Sequence, residues 1–174
     1  MSVVGDKGRF AVEYDVNPDP GGVWLFGRMC FWIFGRQIGQ FSLGLSLRDA
    51  LFELEHLLRD GGRRRNPRLF GLSARQIADV LDDALYLGQN AEYESVATDE
   101  QWARNNVTMS LDVFSGWKLF LIEQGDVARL VVLRSNQEVE EFQLNEGEFD
   151  SVIALAREAL DQLYETERRN ESTT

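Results

Sequence analysis

The side chains able to do chemistry in this chain of 174 residues are few and scattered. The single histidine, His56, lies beside Glu53 and Glu55 and off the leucine stripe of its segment, so it reads as a surface imidazole and not as a general base. The single cysteine, Cys30, sits among Met29, Phe31 and Trp32, the setting of a buried, inert thiol, and it leaves no partner for an internal disulfide. Asp79 and Asp83 stand one helical turn apart and could share a divalent cation, but such sites ordinarily recruit further oxygen ligands or a phosphate. No metal or cofactor is therefore expected. No serine occupies a GxSxG elbow, no phosphate-binding GxxxxGK(S/T) loop occurs, and no GxGxxG follows a strand. A small hydrolase built on two carboxylates would need a pair that only folding brings together, and the spacing nominates none. The expectation is a protein without catalytic residues, and not an enzyme.

The spacing carries recognition better than catalysis. Asp79, Asp82, Asp83 and Tyr86 fall at i, i+3, i+4 and i+7, which lines three carboxylates and an aromatic along one helix face. The stretch from Gly88 to Asn106 follows, long for a connection in a compact domain, and carries Glu92, Tyr93, Glu94, Asp99, Glu100 and Trp102. These ten residues predict a partner-binding surface in which Tyr93 and Trp102 anchor and the carboxylates steer. The plain alternative is a solvated helix face with a surface loop. A second acidic run, Glu138 to Glu148, offers a fallback surface. The whole chain has a formal charge of −11, which speaks against nucleic acid as a partner and suits a basic protein.

These residues need elements to hold them. Phe10, Val12, Tyr14 and Val16 alternate with polar neighbours as in a half-buried strand, and a Pro- and Gly-rich loop separates them from an apolar strand, Val23 to Phe34. On that strand Trp24, Phe26 and Trp32 share one side and read as core aromatics. A turn at Gly35-Arg36 leads into Gln37 to Phe41. Ser46, with Asp49 three residues on, caps a helix with leucines at 47, 51, 54 and 58, and Gly61-Gly62 ends it. Arg63-Arg64-Arg65 and Arg68 read as a solvated basic loop. Ser73 and Gln76 form a second capping box, opening a helix to about Leu87. Val107 to Leu144 reads as four strands: an alternating first one to Val113, then two apolar on both faces, turning at Ser115-Gly116, Gly125-Asp126 and Ser135-Asn136. Asn145 and Glu148 introduce a last amphipathic helix through Leu163.

The fold expected is α+β, an N-terminal hairpin unit and a C-terminal four-stranded meander packed with about three helices. It spans residues 1–165 as one domain, and the polar tail 166–174 should fray. No apolar run approaches the ~20 residues needed to cross a bilayer, and Met1 to Asp6 has no export-signal pattern, so a cytoplasmic protein off the membrane is expected.

Three stretches together resemble the immunity protein 42 family of bacterial polymorphic toxin systems. They are Gly5-Asp6 with Phe10 to Val16; Trp24-Leu25-Phe26-Gly27 through Phe31-Trp32-Ile33-Phe34-Gly35; and Ser110 to Phe114 with Trp117 and Phe120-Leu121-Ile122 up to Gly125. The resemblance runs from Gly5 to Leu163 and departs from the family in the Arg63 to Arg68 loop and near Gly39 and Gly44, so no family binding surface is carried over. It implies a cytosolic antidote that binds and neutralises a cognate toxin domain, delivered by a secretion or contact-dependent system, by covering its active site. An acidic secretion chaperone or adaptor is the alternative. The oligomeric state is left open.

Overall fold

The structure, a computed structural model, describes residues 1–172. In chain order the elements are β1 (Ser2–Gly5), β2 (Phe10–Val16), β3 (Phe26–Ile33), β4 (Arg36–Ile38), β5 (Leu45–Ser46), α1 (Leu47–Leu58), α2 (Pro67–Phe70), α3 (Ala74–Asp82), α4 (Ala91–Asp99), β6 (Trp117–Gln124), β7 (Val127–Arg134), β8 (Val139–Asn145) and α5 (Glu148–Glu171). The class is α+β with antiparallel sheets, as the sequence indicates. The chain packs as two compact units, one of residues 1–59, 109–115 and 148–174, the other of residues 60–108 and 116–147.

The first unit holds a five-stranded sheet in the order β1-β2-β3-β4, with the short β5 also pairing to β3. Alternation puts Phe10, Val12 and Tyr14 on one face, opposite Ile33, Phe31 and Met29 of β3. Phe149 of α5 stacks on Phe10 at 4.7 Å between ring centroids, and Phe114 tilts against Phe31 at 4.8 Å. The strand expected to be half-buried is buried on its other face too. There Glu13 accepts Lys7 Nζ at 2.7 Å and Trp32 Nε1 at 2.5 Å, and the Lys7 ammonium lies 4.3 Å from the Trp32 ring centroid. Burial alone would raise the Glu13 pKa, but the bonds from Lys7 and Trp32 and the Lys7 charge outweigh it and hold the carboxyl below its usual range. Beside it Cys30 is fully buried, and burial together with the Glu13 charge pushes its thiol up to about 12, so it stays protonated.

α1 begins as expected, with Ser46 Oγ accepting the Asp49 N–H at 3.2 Å, and buries Leu47, Ala50, Leu51, Leu54 and Leu57. It packs on α5, where Arg157 reaches Glu55 at 2.8 Å. α5 turns Phe149, Val152, Ile153, Ala156 and Leu160 inward, and its first residue, Glu148, takes a two-pronged bond from Arg9 at 2.6 and 2.7 Å. The tail expected to fray from Thr166 continues this helix to Glu171, with Arg168 bonded to Glu165 one turn back. Thr173 and Thr174 lie outside the described residues.

In the second unit the meander has three strands, β6-β7-β8, and not four. The missing strand is Val107 to Val113. Its start touches β6, where the Val107 N–H donates to the Leu119 carbonyl at 2.9 Å and Asn106 bridges Phe120, but Asp112–Phe114 then winds into a 3-10 turn. Val107, Met109 and Val113 are all buried, so the alternation is kept without a ladder. β6 and β7 are buried on both faces, as their double-sided apolar runs predict. Phe120, Ile122, Val131 and Leu133 meet Leu69, Ile77, Leu81 and Trp102, while Leu119, Leu121, Leu130 and Val132 on the alternate face are also buried.

Two other readings are corrected in this unit. Arg64 is 1% exposed, its Nε donating to the Arg104 carbonyl at 3.0 Å. Arg65 binds Glu146 and Arg68 binds Glu100, but both stay exposed with Arg63, so the loop is solvated as expected except at Arg64. The stretch Gly88 to Asn106 contains α4 and a 3-10 turn, Trp102–Asn105. The α4 cap was visible in the sequence: Asn90 accepts the N–H groups of Glu92 and Tyr93, with two acids in the first turn to meet the helix dipole.

Candidate partner-binding surface

The ten residues nominated from the sequence fall on α3, the turn after it, α4 and the segment that follows, all within the second unit. α3 starts at a complete capping box: Ser73 Oγ accepts the Gln76 N–H at 3.3 Å and Gln76 Oε1 accepts the Ser73 N–H at 3.0 Å. Asp83–Leu87 then widens into a π turn, a distortion frequent at functional positions, and Gly88 closes it in the left-handed conformation at φ 62°. This sets α4 off in a new direction and breaks the stripe that an unbroken helix would have made.

The carboxylates consequently divide. Asp79 is exposed and paired with Arg75 at 3.0 Å. Asp82 is buried and bound to Lys118. Asp83 accepts the backbone N–H groups of Gln89 at 3.2 Å and Asn90 at 2.9 Å, so it holds the bend between the helices. Glu100 accepts Trp102 Nε1 at 2.8 Å and Asn66 Nδ2 at 3.1 Å. The Trp102 bond, opposed by burial and joined by those from Asn66 and Arg68, holds the Glu100 carboxyl below its usual range. Trp102 itself is 2% exposed and belongs to the core, so it is no surface anchor. Glu92, Glu94 and Asp99 are exposed and make no ion pair among the described residues.

Of the aromatics, Tyr86 stands 45% exposed, its hydroxyl accepting Asn106 Nδ2 at 2.8 Å and its ring lying 4.2 Å from the Lys118 ammonium. Tyr93 is half-buried. Two concavities adjoin this surface. One, of about 320 Å³, is lined by Leu87, Trp117 and Leu133 with the Asp82–Lys118 pair at its edge. The other, of about 520 Å³, lies among Ala84, Leu85, Ala97 and Ala103 with Glu94 at its rim. The fallback run from Glu138 is largely engaged: Glu138 with Arg134, Glu141 with Arg129, Glu146 with Arg65 and Glu148 with Arg9.

Sequence reading missed three exposed aromatics of the first unit. Trp24 and Phe26, assigned to core, are 47% and 45% exposed, and Phe52 of α1 is 53% exposed. The strand expected from Val23 begins only at Phe26, because Gly22–Trp24 forms a 3-10 turn. Phe52 carried a signal, since it lies off the leucine spacing of α1.

Among the described residues no three His, Cys, Asp or Glu side chains gather where a cation could sit. Among the described residues no helix is long and apolar enough to cross a membrane. The second unit carries exposed Asp79, Glu92, Glu94 and Asp99 and two concavities.

Known proteins place the chain further. A sequence model of the family described as immunity protein 42 matches residues 1–158. The crystal structure of CdiI from Burkholderia dolosa AUO158 superposes with a TM-score of 0.68, covering 92% of this chain and 99% of that one at 20% sequence identity. At that identity the likeness is one of fold. No curated protein sequence matches.

Proposed function

This chain belongs to the immunity protein 42 family, and on that premise we propose that it neutralises one cognate toxin domain by binding it and covering its active site. The toxin reaches the cell from a competitor, through contact-dependent or other secretion, and the antidote waits in the cytoplasm. Its action is stoichiometric and needs neither catalysis nor a cofactor. The family match is the observation that carries this reading.

The contact surface runs along α3 and α4, with Glu92, Glu94 and Asp99 as free charges, Asp79 beside them, and Tyr86 and Tyr93 as amphipathic contacts. Asp82, Asp83, Glu100 and Trp102 hold the surface in shape from within. Negative charge of this kind accelerates encounter with a cationic groove and competes with an anionic substrate for it. A toxin that binds nucleic acid fits that description.

The test is a rescue. The toxin domain encoded beside this chain is expressed in a susceptible cell with and without it, and the pair is co-purified. Survival with a one-to-one complex of folded partners supports the reading. Toxicity unrelieved, or binding only to an unfolded effector segment, sinks it and points to the secretion-chaperone alternative.

A further inference from the structure

Trp24, Phe26 and Phe52 leave half their surface in water, although the first unit has an ample core to receive them. They are not loose. The indole of Trp24 and the ring of Phe26 are parallel within 5° at 6.4 Å, and the Arg48 guanidinium lies 3.8 Å from the Trp24 ring centroid. Phe52 stands one turn after Arg48 on the same face of α1. Trp24, Phe26 and Arg48 thus form one stacked cluster, with Phe52 exposed a helical turn along α1 from Arg48.

The backbone under the patch is fixed at several points. Leu25 takes a left-handed conformation at φ 50°, uncommon for leucine, and is 1% exposed. Its side chain therefore enters the core while those on either side of it stay out. The Trp24 carbonyl accepts Ser46 Oγ at 3.0 Å, the Leu25 carbonyl accepts the Leu47 N–H at 3.0 Å, and the Phe26 N–H donates to Pro20 at 2.7 Å. At Gly21, φ 67°, a Cβ would come within 2.6 Å of the Phe26 ring, so this loop is shaped to the aromatic. Rigid aromatics with a stacked arginine are what the energetic centre of a protein interface requires, because little freedom is lost when they are buried.

The rim argues for the occupant. Asp49 is 49% exposed at its side chain and flanks Arg48. Glu171 accepts the Val23 N–H at 3.0 Å, and Asp19 accepts that of Gly21 at 3.1 Å, which places two more carboxylates around the 3-10 turn. A second copy of a chain with a charge of −11 would bring like charge to like. A cationic protein with an apolar recess would find both complements.

We infer that the patch formed by Trp24, Phe26, Arg48 and Phe52 is an anchoring surface for the toxin, received by an apolar recess with a basic surround. This rests on the toxin-binding reading above and adds a second contact region to it. The test measures binding of the toxin domain encoded beside this chain, inactivated at its own active site so that it can be purified. Trp24→Ala and Phe52→Ala are each expected to weaken the complex by about 30-fold or more, mainly through faster dissociation, with an unchanged melting temperature. Leu155→Ser, at a 56% exposed position of α5, is the control and leaves affinity unchanged. Should Trp24→Ala disturb the fold, Phe52→Ala and Phe52→Arg on the outer face of α1 decide the matter. Wild-type binding with unchanged affinity in the Phe52 variants overturns the anchor and leaves the immunity reading standing. Loss of self-association with unchanged toxin affinity gives the patch to a second copy and overturns it as well. A wild-type chain that neither binds nor rescues fails at the earlier premise, and the anchor falls with it.

Discussion

Trp24 and Trp102 have exchanged the places that their neighbours in the sequence suggest. Trp24 sits in the apolar run Val23 to Phe26 and stands in water, whereas Trp102 sits among Asp99, Glu100 and Gln101 and is buried. The difference follows from the indole N–H. A tryptophan enters a core at low cost only if that donor finds an acceptor, and Glu100, two residues away, supplies one at 2.8 Å. Polar company made the burial of Trp102 feasible. At Trp24 the chain turns on Gly21 and Gly22, Leu25 takes the core position, and the indole rests under Arg48 instead of within the protein.

The comparison breaks most sharply if the two residues are truncated in turn. Trp102→Ala should destabilise the protein by about 3–5 kcal/mol, read from urea or thermal unfolding, because a large buried ring leaves a cavity that neighbours fill only in part. Trp24→Ala should change stability by no more than about 0.5 kcal/mol, as substitutions on the surface do. Equal losses would show that the exposed indole is structural after all.

The hydrogen-bonded carboxylates Glu13 and Glu100 sharpen the same contrast at smaller scale. Glu13→Gln should cost about 1–3 kcal/mol, since Lys7 loses its charge partner and the Trp32 donor a stronger acceptor. Because the Glu13 pKa is lowered on folding, its contribution is present above the unfolded-state carboxyl pKa and is lost as pH falls through the lower folded one. Wild-type stability should thus drop on acidification below the usual carboxylate range, and the drop should shrink in Glu13→Gln. Glu100→Gln should show the same sign with a smaller effect, about 1 kcal/mol or less, at a side chain about one third exposed. Glu92→Lys with Glu94→Lys and Asp99→Lys should lower stability only slightly, by about 1 kcal/mol or less, because Glu92 and Glu94 face the positive end of the α4 dipole. This triple variant should slow association with the toxin several-fold at low salt, with the gap closing as salt rises. An association rate unmoved at low salt would remove α3 and α4 from the interface.

Much of the fold was legible because local rules and burial agreed. The Ser46 and Ser73 caps, the leucine spacing of α1 and the doubly apolar β6 and β7 each pointed one way. Val107 to Val113 misled because alternation reports which side chains are buried and not what their backbone bonds to; this segment buries Val107, Met109 and Val113 yet pairs with β6 only at its start. α4 was missed because its buried face amounts to Ala97 with little beside it, too weak a period to see. The acidic surface was legible as composition only. Which carboxylates remain free depends on Lys118, Arg68 and the N–H groups of Gln89 and Asn90, and no spacing rule brings those partners to Asp82, Glu100 and Asp83.

The discontinuous course of the first unit bears on how the protein comes into being. Its sheet is drawn from the first 59 residues, but the helix covering Phe10 and Val12 is α5, which begins at Glu148. On the ribosome the N-terminal strands must wait, their apolar face unclosed, while about 90 intervening residues are made at roughly 5–20 per second. Closing so long a loop also places unit 1 among topologies that fold slowly. A nascent chain halted before α5 would offer strands with an unclosed apolar face to chaperones and proteases.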